Sequence, residues 1–167
     1  MYTKIGFIIT CLWLTNICLA QQLTIDSLQQ ANDFTYTLAS GEQHTLYALQ
    51  TNMVLLYFYD PTCEDCHVLM SQLEKSDIVN HLIGENRLTV LAVYPDENPE
   101  IWNDYSDHIP QKWINGYDKG MKIHTEGIFL IKSFPTLYLL NKDKMILLKE
   151  VSYKELENEL ENIMLID

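Results

Sequence analysis

Cys63 and Cys66, three positions apart in Cys63-Glu64-Asp65-Cys66, are the residues of this 167-residue chain best equipped for chemistry. The thiolate is the reactive form of cysteine, and two thiols so placed can reduce a target disulfide by becoming a disulfide themselves. A bridge closing so small a loop constrains little of the unfolded chain, so the pair is read as reactive and not as a staple. His67 follows at once, and Cys63-x-x-Cys66-His67 is also the attachment signature of a c-type haem, with Met70 or Met121 available as a far ligand. A third reading is a binding module in which the two cysteines and a distant His81, His108 or His124 hold a metal. Zinc sites usually need two such cysteine pairs, and this chain has one. Thiol exchange is the preferred reading, and it calls for no cofactor and no metal.

The elements around the pair must position it. Met53 to Tyr59 is an unbroken apolar and aromatic run, too short to span a membrane and of the kind that forms a strand covered on both faces. Asp60-Pro61-Thr62 interrupts it, because proline fixes φ and biases the residue before it toward extended backbone. Cys66, Leu69, Met70 and Leu73 then fall at i, i+3, i+4 and i+7, one face of a helix. The cysteines are therefore expected at a strand-to-helix turn, where unpaired N–H groups and the helix dipole favour a thiolate. Cys63, nearest the helix N-terminus, is expected to attack, and Cys66, on the inward face, to resolve the mixed disulfide. Glu64 and Asp65 compete for the same positive helix end and repel a thiolate, which predicts reductase behaviour over strong oxidation. His67 is read as a first-turn residue that tunes Cys63 modestly.

Length and charge narrow the field. The chain fits one domain with a core of its own. Residues 1–20 carry one early charge, Lys4, an apolar run from Ile5 to Trp13, and Cys18-Leu19-Ala20 before Gln21-Gln22. That is the layout of a secretory signal peptide, with small residues at the cleavage positions, and it predicts export, most simply to a periplasm. A retained membrane anchor and a lipid-modified Cys18 are the alternatives. Thr15-Asn16-Ile17 lacks the small residue normally found just before a lipidated cysteine. Cleavage would also remove Cys11 and Cys18, leaving only the reactive pair in residues 21–167. The formal charge of −12 is spread along the chain without a Lys/Arg cluster, which argues against nucleic acid as a partner.

The remaining elements follow in order. Gln21 to Ala31 is read as a loosely packed lead-in, Phe34 to Thr37 as a strand, and Thr45-Leu46-Tyr47 as its return after the Ser40-Gly41-Glu42 turn. The helix carrying Cys66 is expected to run to about Leu82, with Gly84 as its stop. Leu88 to Tyr94 is a second buried strand, and strand, helix, strand at this spacing is a right-handed parallel unit. Glu100 to His108 reads as a short helix, while Gln111 to Ile123 allows either a short strand or a turn-rich connection. Leu137 to Leu140 and Met145 to Val151 form a closing hairpin, and Ser152 with Glu155 makes a capping box for a final helix striped by Leu156, Leu160, Ile163 and Met164. Helices must cover a sheet that begins parallel and ends antiparallel, hence a three-layer α/β sandwich with a mixed central sheet and an N-terminal β-hairpin.

On Phe58-Tyr59-Asp60-Pro61-Thr62-Cys63-Glu64-Asp65-Cys66, on Phe129-x-Ile131-x-x-x-Pro135-Thr136 and on the closing hairpin and helix, the chain resembles the thioredoxin superfamily and, within it, the exported TlpA/ResA-like branch. The resemblance covers roughly Phe34 to Met164. It implies a thiol-disulfide oxidoreductase with Cys63 and Cys66 as catalytic residues and as a redox-active disulfide. It also implies a cis Pro135 beside them, and a substrate-binding edge from Thr62, Phe134 and Pro135. The 69 positions between Cys66 and Pro135 suit the branch with an inserted segment, placed within Asn98 to Glu126. The implied partners are protein thiols or disulfides and an upstream redox partner, with a membrane electron donor as one candidate. Several positions depart from the pattern. Thr62 stands where tryptophan is common, and Tyr57 occupies the place of thioredoxin's buried aspartate, so that proton acceptor is missing. Asp65 and Leu69 replace the proline and glutamate of relatives that serve cytochrome maturation. A non-catalytic thioredoxin-like binding module is the remaining alternative. Trp102, Tyr105, Trp113 and Tyr117 are read as a local aromatic core of the insertion in preference to a substrate surface.

Overall fold

A computed structural model describes residues 29–166; the expected signal peptide and most of the lead-in lie outside them. Seven strands form one mixed sheet: β1 (Thr35–Thr37), β2 (Gln43–Thr45), β3 (Met53–Phe58), β4 (Leu88–Tyr94), β5 (Ile114–Tyr117), β6 (Thr136–Asn141) and β7 (Ile146–Lys149). Their order across the sheet is β2-β1-β5-β4-β3-β6-β7. The helices are α1 (Glu64–Lys75), α2 (Asp77–Gly84), α3 (Pro99–Tyr105), α4 (Lys122–Thr125) and α5 (Tyr153–Ile166).

Strand β3 is buried along all six residues and lies at the centre. Its side chains alternate between two cores, as a strand covered on both faces must. Met53, Leu55 and Tyr57 face the layer built by α1, α2, α3 and α5, where Leu73, Leu82, Trp102, Leu156 and Leu160 pack. Val54, Leu56 and Phe58 face Phe34, Leu46, Ile123 and Phe129, so the opposite layer comes from the lead-in, α4 and the loop before β6. Parallel β3, β4 and β5 give way to antiparallel β6 and β7, the mixed sheet expected from the sequence. Strand β5 resolves the ambiguous 111–123 stretch: the insertion adds a strand, which pairs with β4 and accepts β1 on its other edge. Gly116 on that strand lets Tyr36 approach closely: a Cβ there would lie 3.0 Å from the Tyr36 ring, which would have to give by a few tenths of an ångström.

Three expectations need correction. The single helix to Leu82 is two helices. Ser76 leaves helical geometry at ψ 119, ends α1 by bonding Leu73 O, and caps α2 by accepting from Val79 N–H. Serine favours this position because its hydroxyl competes with the helix for backbone partners. The return strand is Gln43–Thr45, and Leu46–Ala48 is a 3-10 turn that drops Leu46 into the core. Asp33 directs that turn by accepting from Phe34 N–H and Tyr47 N–H, each at 3.0 Å. The described end of the lead-in is tied rather than loose: Ala31 is buried and its N–H bonds Lys144 O at 2.8 Å. The capping box forms as read, with Glu155 Oε2 accepting from Ser152 N–H at 2.8 Å.

Candidate functional site

The sheet register builds the site. Antiparallel pairing sets Phe58 opposite Thr136, so the chain leaving β3 toward Cys63 and the chain entering β6 through Phe134 and Pro135 emerge at one end of the sheet. The Phe134–Pro135 bond is cis, as the resemblance implies. Cys63 is the N-cap residue of α1 (φ −85, ψ 115), and its sulfur accepts from Cys66 N–H at 3.2 Å. The same Sγ lies 3.6 Å from Phe134 O, to which its thiol proton points. Two segments 71 residues apart are thus in contact at the reactive atom.

The two sulfurs live in different surroundings. Cys63 is half-buried, while Cys66 is 1% exposed in the core beneath it; both are free thiols, the reduced state of the expected pair. Burial pushes the Cys66 thiol up to about 12, and the neighbouring Cys63 and Asp60 push in the same direction against a backbone N–H of Asp60 that lowers it. Cys66 therefore keeps its proton at neutral pH and does not compete for the first attack. Cys63 occupies the helix end, where N–H groups without intrahelical partners favour negative charge.

Comparison with solved structures places the chain. It is similar to a thioredoxin-like protein from Bacteroides caccae, with 41% identity, a TM-score of 0.79, and coverage of 81% of this chain and 49% of that one. It is similar also to the C-terminal domain of an uncharacterized protein from Bacteroides fragilis, at 35% identity and TM-score 0.78 over 80% of this chain and 96% of that one. The chain belongs to the thioredoxin superfamily. It spans about half the length of the Bacteroides caccae protein. The thioredoxin domain of a thiol-disulfide oxidoreductase from Bacteroides vulgatus shares the fold at 20% identity, with a TM-score of 0.70 over 84% of this chain and 99% of that one. No protein-family model matches the sequence, and no curated protein does.

Within this thioredoxin-like frame the other expected residues fall as follows. Thr62 is exposed beside Cys63, but its hydroxyl is turned inward to Asp60 Oδ1. Phe134 and Pro135 are half-buried, and Phe134, like Cys63, packs against the core that holds Cys66. Glu64 and Asp65 stand exposed in the first turn of α1, next to Cys63. His67 is exposed, yet both its ring and one nitrogen are engaged: Nε2 bonds Pro61 O at 2.8 Å, and the ring stacks on Tyr105 at 5.3 Å. Since a carbonyl only accepts, Nε2 carries the proton. Tyr105 stacks in turn on His108 at 4.8 Å, so α3 of the insertion leans against the first turn of α1.

Tyr57 shows what replaced the superfamily's buried aspartate. Its hydroxyl donates to Cys66 O at 2.8 Å, and burial holds its pKa far above the usual phenol range. Tyr57 is thus a structural donor that cannot take the Cys66 proton. Replacing it by Phe is expected to cost about 1 kcal/mol in chemical denaturation and to leave disulfide reduction within about threefold of the parent. A tenfold loss of activity would show that the hydroxyl takes part in the chemistry.

The aromatic residues of the insertion are core, as read. Trp102, Trp113 and Tyr117 are buried and Tyr105 half-buried. Asn115, absent from the residues singled out above, is their hub: its Oδ1 accepts from Tyr59 hydroxyl at 2.8 Å and from Trp102 Nε1–H at 2.9 Å. An asparagine inside an aromatic-rich stretch was the available signal. Asp60 was likewise read only as a chain break, although Asp-Pro-Thr is a turn pattern in which the carboxylate bonds backbone two residues on. Among the described residues no three His, Cys, Asp or Glu side chains gather closely enough to hold a metal ion, and no helix is long and apolar enough to cross a membrane.

Proposed function

We propose that the chain is a protein-disulfide oxidoreductase of the TlpA/ResA-like branch, working outside the cytoplasm in the reducing direction. The observation that carries this reading is the contrast between the sulfurs: a half-exposed Cys63 on a helix N-cap beside a cis-proline turn, over a buried, protonated Cys66. Export is supported by the layout of residues 1–20. Solved relatives with the same fold include proteins described as thiol-disulfide oxidoreductases from Bacteroides vulgatus and Bacteroides fragilis.

The steps balance without a cofactor. The Cys63 thiolate attacks one sulfur of a target disulfide; a Cys63–target bond forms, and the target's other sulfur leaves as a thiolate and takes a proton from solvent. Cys66 then gives up its proton and attacks Cys63 Sγ, releasing the second target thiol. The target gains two electrons, and the Cys63–Cys66 pair becomes the disulfide, to be reset by an upstream dithiol donor. An extended substrate strand has the backbone beside Phe134 and Pro135 as its edge, and Thr62 on the other side of Cys63. A covalent haem suits the site poorly: both sulfurs would have to reach it, and Cys66 is sealed in the core while His67 Nε2 is committed to Pro61 O.

The decisive experiment is trapping. Cys66→Ala removes the resolving thiol, so exported proteins carrying disulfides are expected to accumulate as adducts on Cys63 that dithiothreitol releases. No adduct, together with no reduction of insulin by the parent protein, would reduce the chain to a binding module. The direction of exchange has its own test. Neutralising the first turn with Glu64→Gln and Asp65→Asn removes repulsion worth about 0.3–1 kcal/mol per charge near a helix end. Cys63 in that double variant is expected to react with iodoacetamide roughly three- to thirtyfold faster at pH 7 and low salt. An unchanged rate would remove these acids from the account of direction.

A further inference from the structure

Thr62, next to the attacking cysteine, is small and exposed, so packing cannot hold it in place. The turn is held by Asp60 instead. Asp60 Oδ1 accepts from Thr62 N–H and from Thr62 Oγ1–H, each at 2.6 Å, and Asp60 O accepts from Cys63 N–H at 3.1 Å. Pro61 between them is buried, and its carbonyl is taken by His67. Every residue from Asp60 to Cys63 is therefore fixed by a bond or by burial, although the segment belongs to neither β3 nor α1. Such ordering is costly, about 1–2 kcal/mol of backbone entropy per residue, and here the carboxylate at the start of the turn supplies two of the bonds that offset it.

We propose that the Asp60 side chain is the positioning residue for the attacking thiol. By gathering both donors of Thr62, it holds Cys63 in the extended N-cap conformation from which Sγ reaches the Cys66 N–H and the Phe134 carbonyl together. The role rests on the exchange reading above, but it concerns geometry and can be read without turnover. It also makes a distinction within the side chain: the oxygen acceptor does the positioning, and its negative charge is not required.

Two variants separate these. Asp60→Asn keeps an Oδ1 acceptor in the same place and removes the charge; Asp60→Ala removes both. With Asp60→Ala, kcat/KM for insulin reduction is expected to fall about tenfold or more, chiefly in kcat, as for small displacements of a reacting group. Cys63 labelling by iodoacetamide in the reduced, folded protein should slow at least about threefold, because the sulfur loses its place at the helix end. Asp60→Asn should restore both to within about twofold of the parent. Thr62→Val, which deletes one donor and keeps the shape, should give a smaller loss of about threefold and covers the case in which Asp60→Ala does not fold. Asp60→Ala or Thr62→Val at parental rates would overturn the proposal, as would Asp60→Asn falling as far as Asp60→Ala. Should the parent protein reduce no disulfide at all, the functional reading fails, while the labelling rates still decide the positioning role.

Discussion

Serine in place of Cys63 is expected to bring disulfide reduction down by roughly three orders of magnitude or more, as removal of an attacking nucleophile does elsewhere. The substitution is nearly isosteric, so the N-cap remains: a serine oxygen accepts from the residue-66 N–H as well as sulfur does. Melting temperature should stay within a few degrees of the parent, and the loss would then be chemical. Cys66 cannot stand in, because it is buried and its thiol is pushed up to about 12. The comparison with Cys66→Ala is informative, since that variant keeps the first attack and loses only the release step. Equal activity in parent and Cys63→Ser, measured as insulin reduction with dithiothreitol as donor, would end the oxidoreductase assignment.

The second large effect falls on stability. Trp102 is 3% exposed, stacks on Tyr117 with ring centres 5.3 Å apart, and donates to Asn115 Oδ1 at 2.9 Å. Trp102→Ala leaves a cavity beside Asn115 and strips α3 of its buried anchor. The expected cost is about 3–5 kcal/mol, or a fall in melting temperature of roughly 10 °C or more for a domain of this size. Tyr105 rides on the same helix and covers His67, so the variant should also expose the first turn of α1. A drop under about 3 °C would mean that the insertion packs onto the sheet without contributing to its stability.

What was legible in the sequence depended on how local the cause was. Strand β3 announced itself because burial on both faces demands an unbroken apolar run, and α1 because its inward residues repeat with the helical period. Pro135 could be placed beside Cys63 only through the family resemblance; nothing in the local sequence says that Phe58 faces Thr136. The break at Ser76 was written in a serine that prefers a cap to a helix interior, but the apolar pattern runs on through Val79 and Leu82 and hid it. Strand β5 was ambiguous because Asn115 and Gly116 are poor strand formers. It exists because its side chains and backbone complete β4 and meet β1, partners distant in sequence. Thr45-Leu46-Tyr47 reads as a return strand because it follows the Ser40-Gly41-Glu42 turn; Asp33, 14 residues before Tyr47, accepts from its N–H and holds the 3-10 turn that drops Leu46 into the core.

Synthesis order gives the register between β3 and β6 a further meaning. The sulfurs leave the ribosome long before the proline turn that completes their surroundings, so a growing chain stopped short of residue 136 holds two thiols without the ledge on which a client strand would lie. Reactivity toward disulfides should thus be an attribute of the finished domain. An unfinished chain would have bare thiols, open to damage but with little capacity to reshuffle its neighbours.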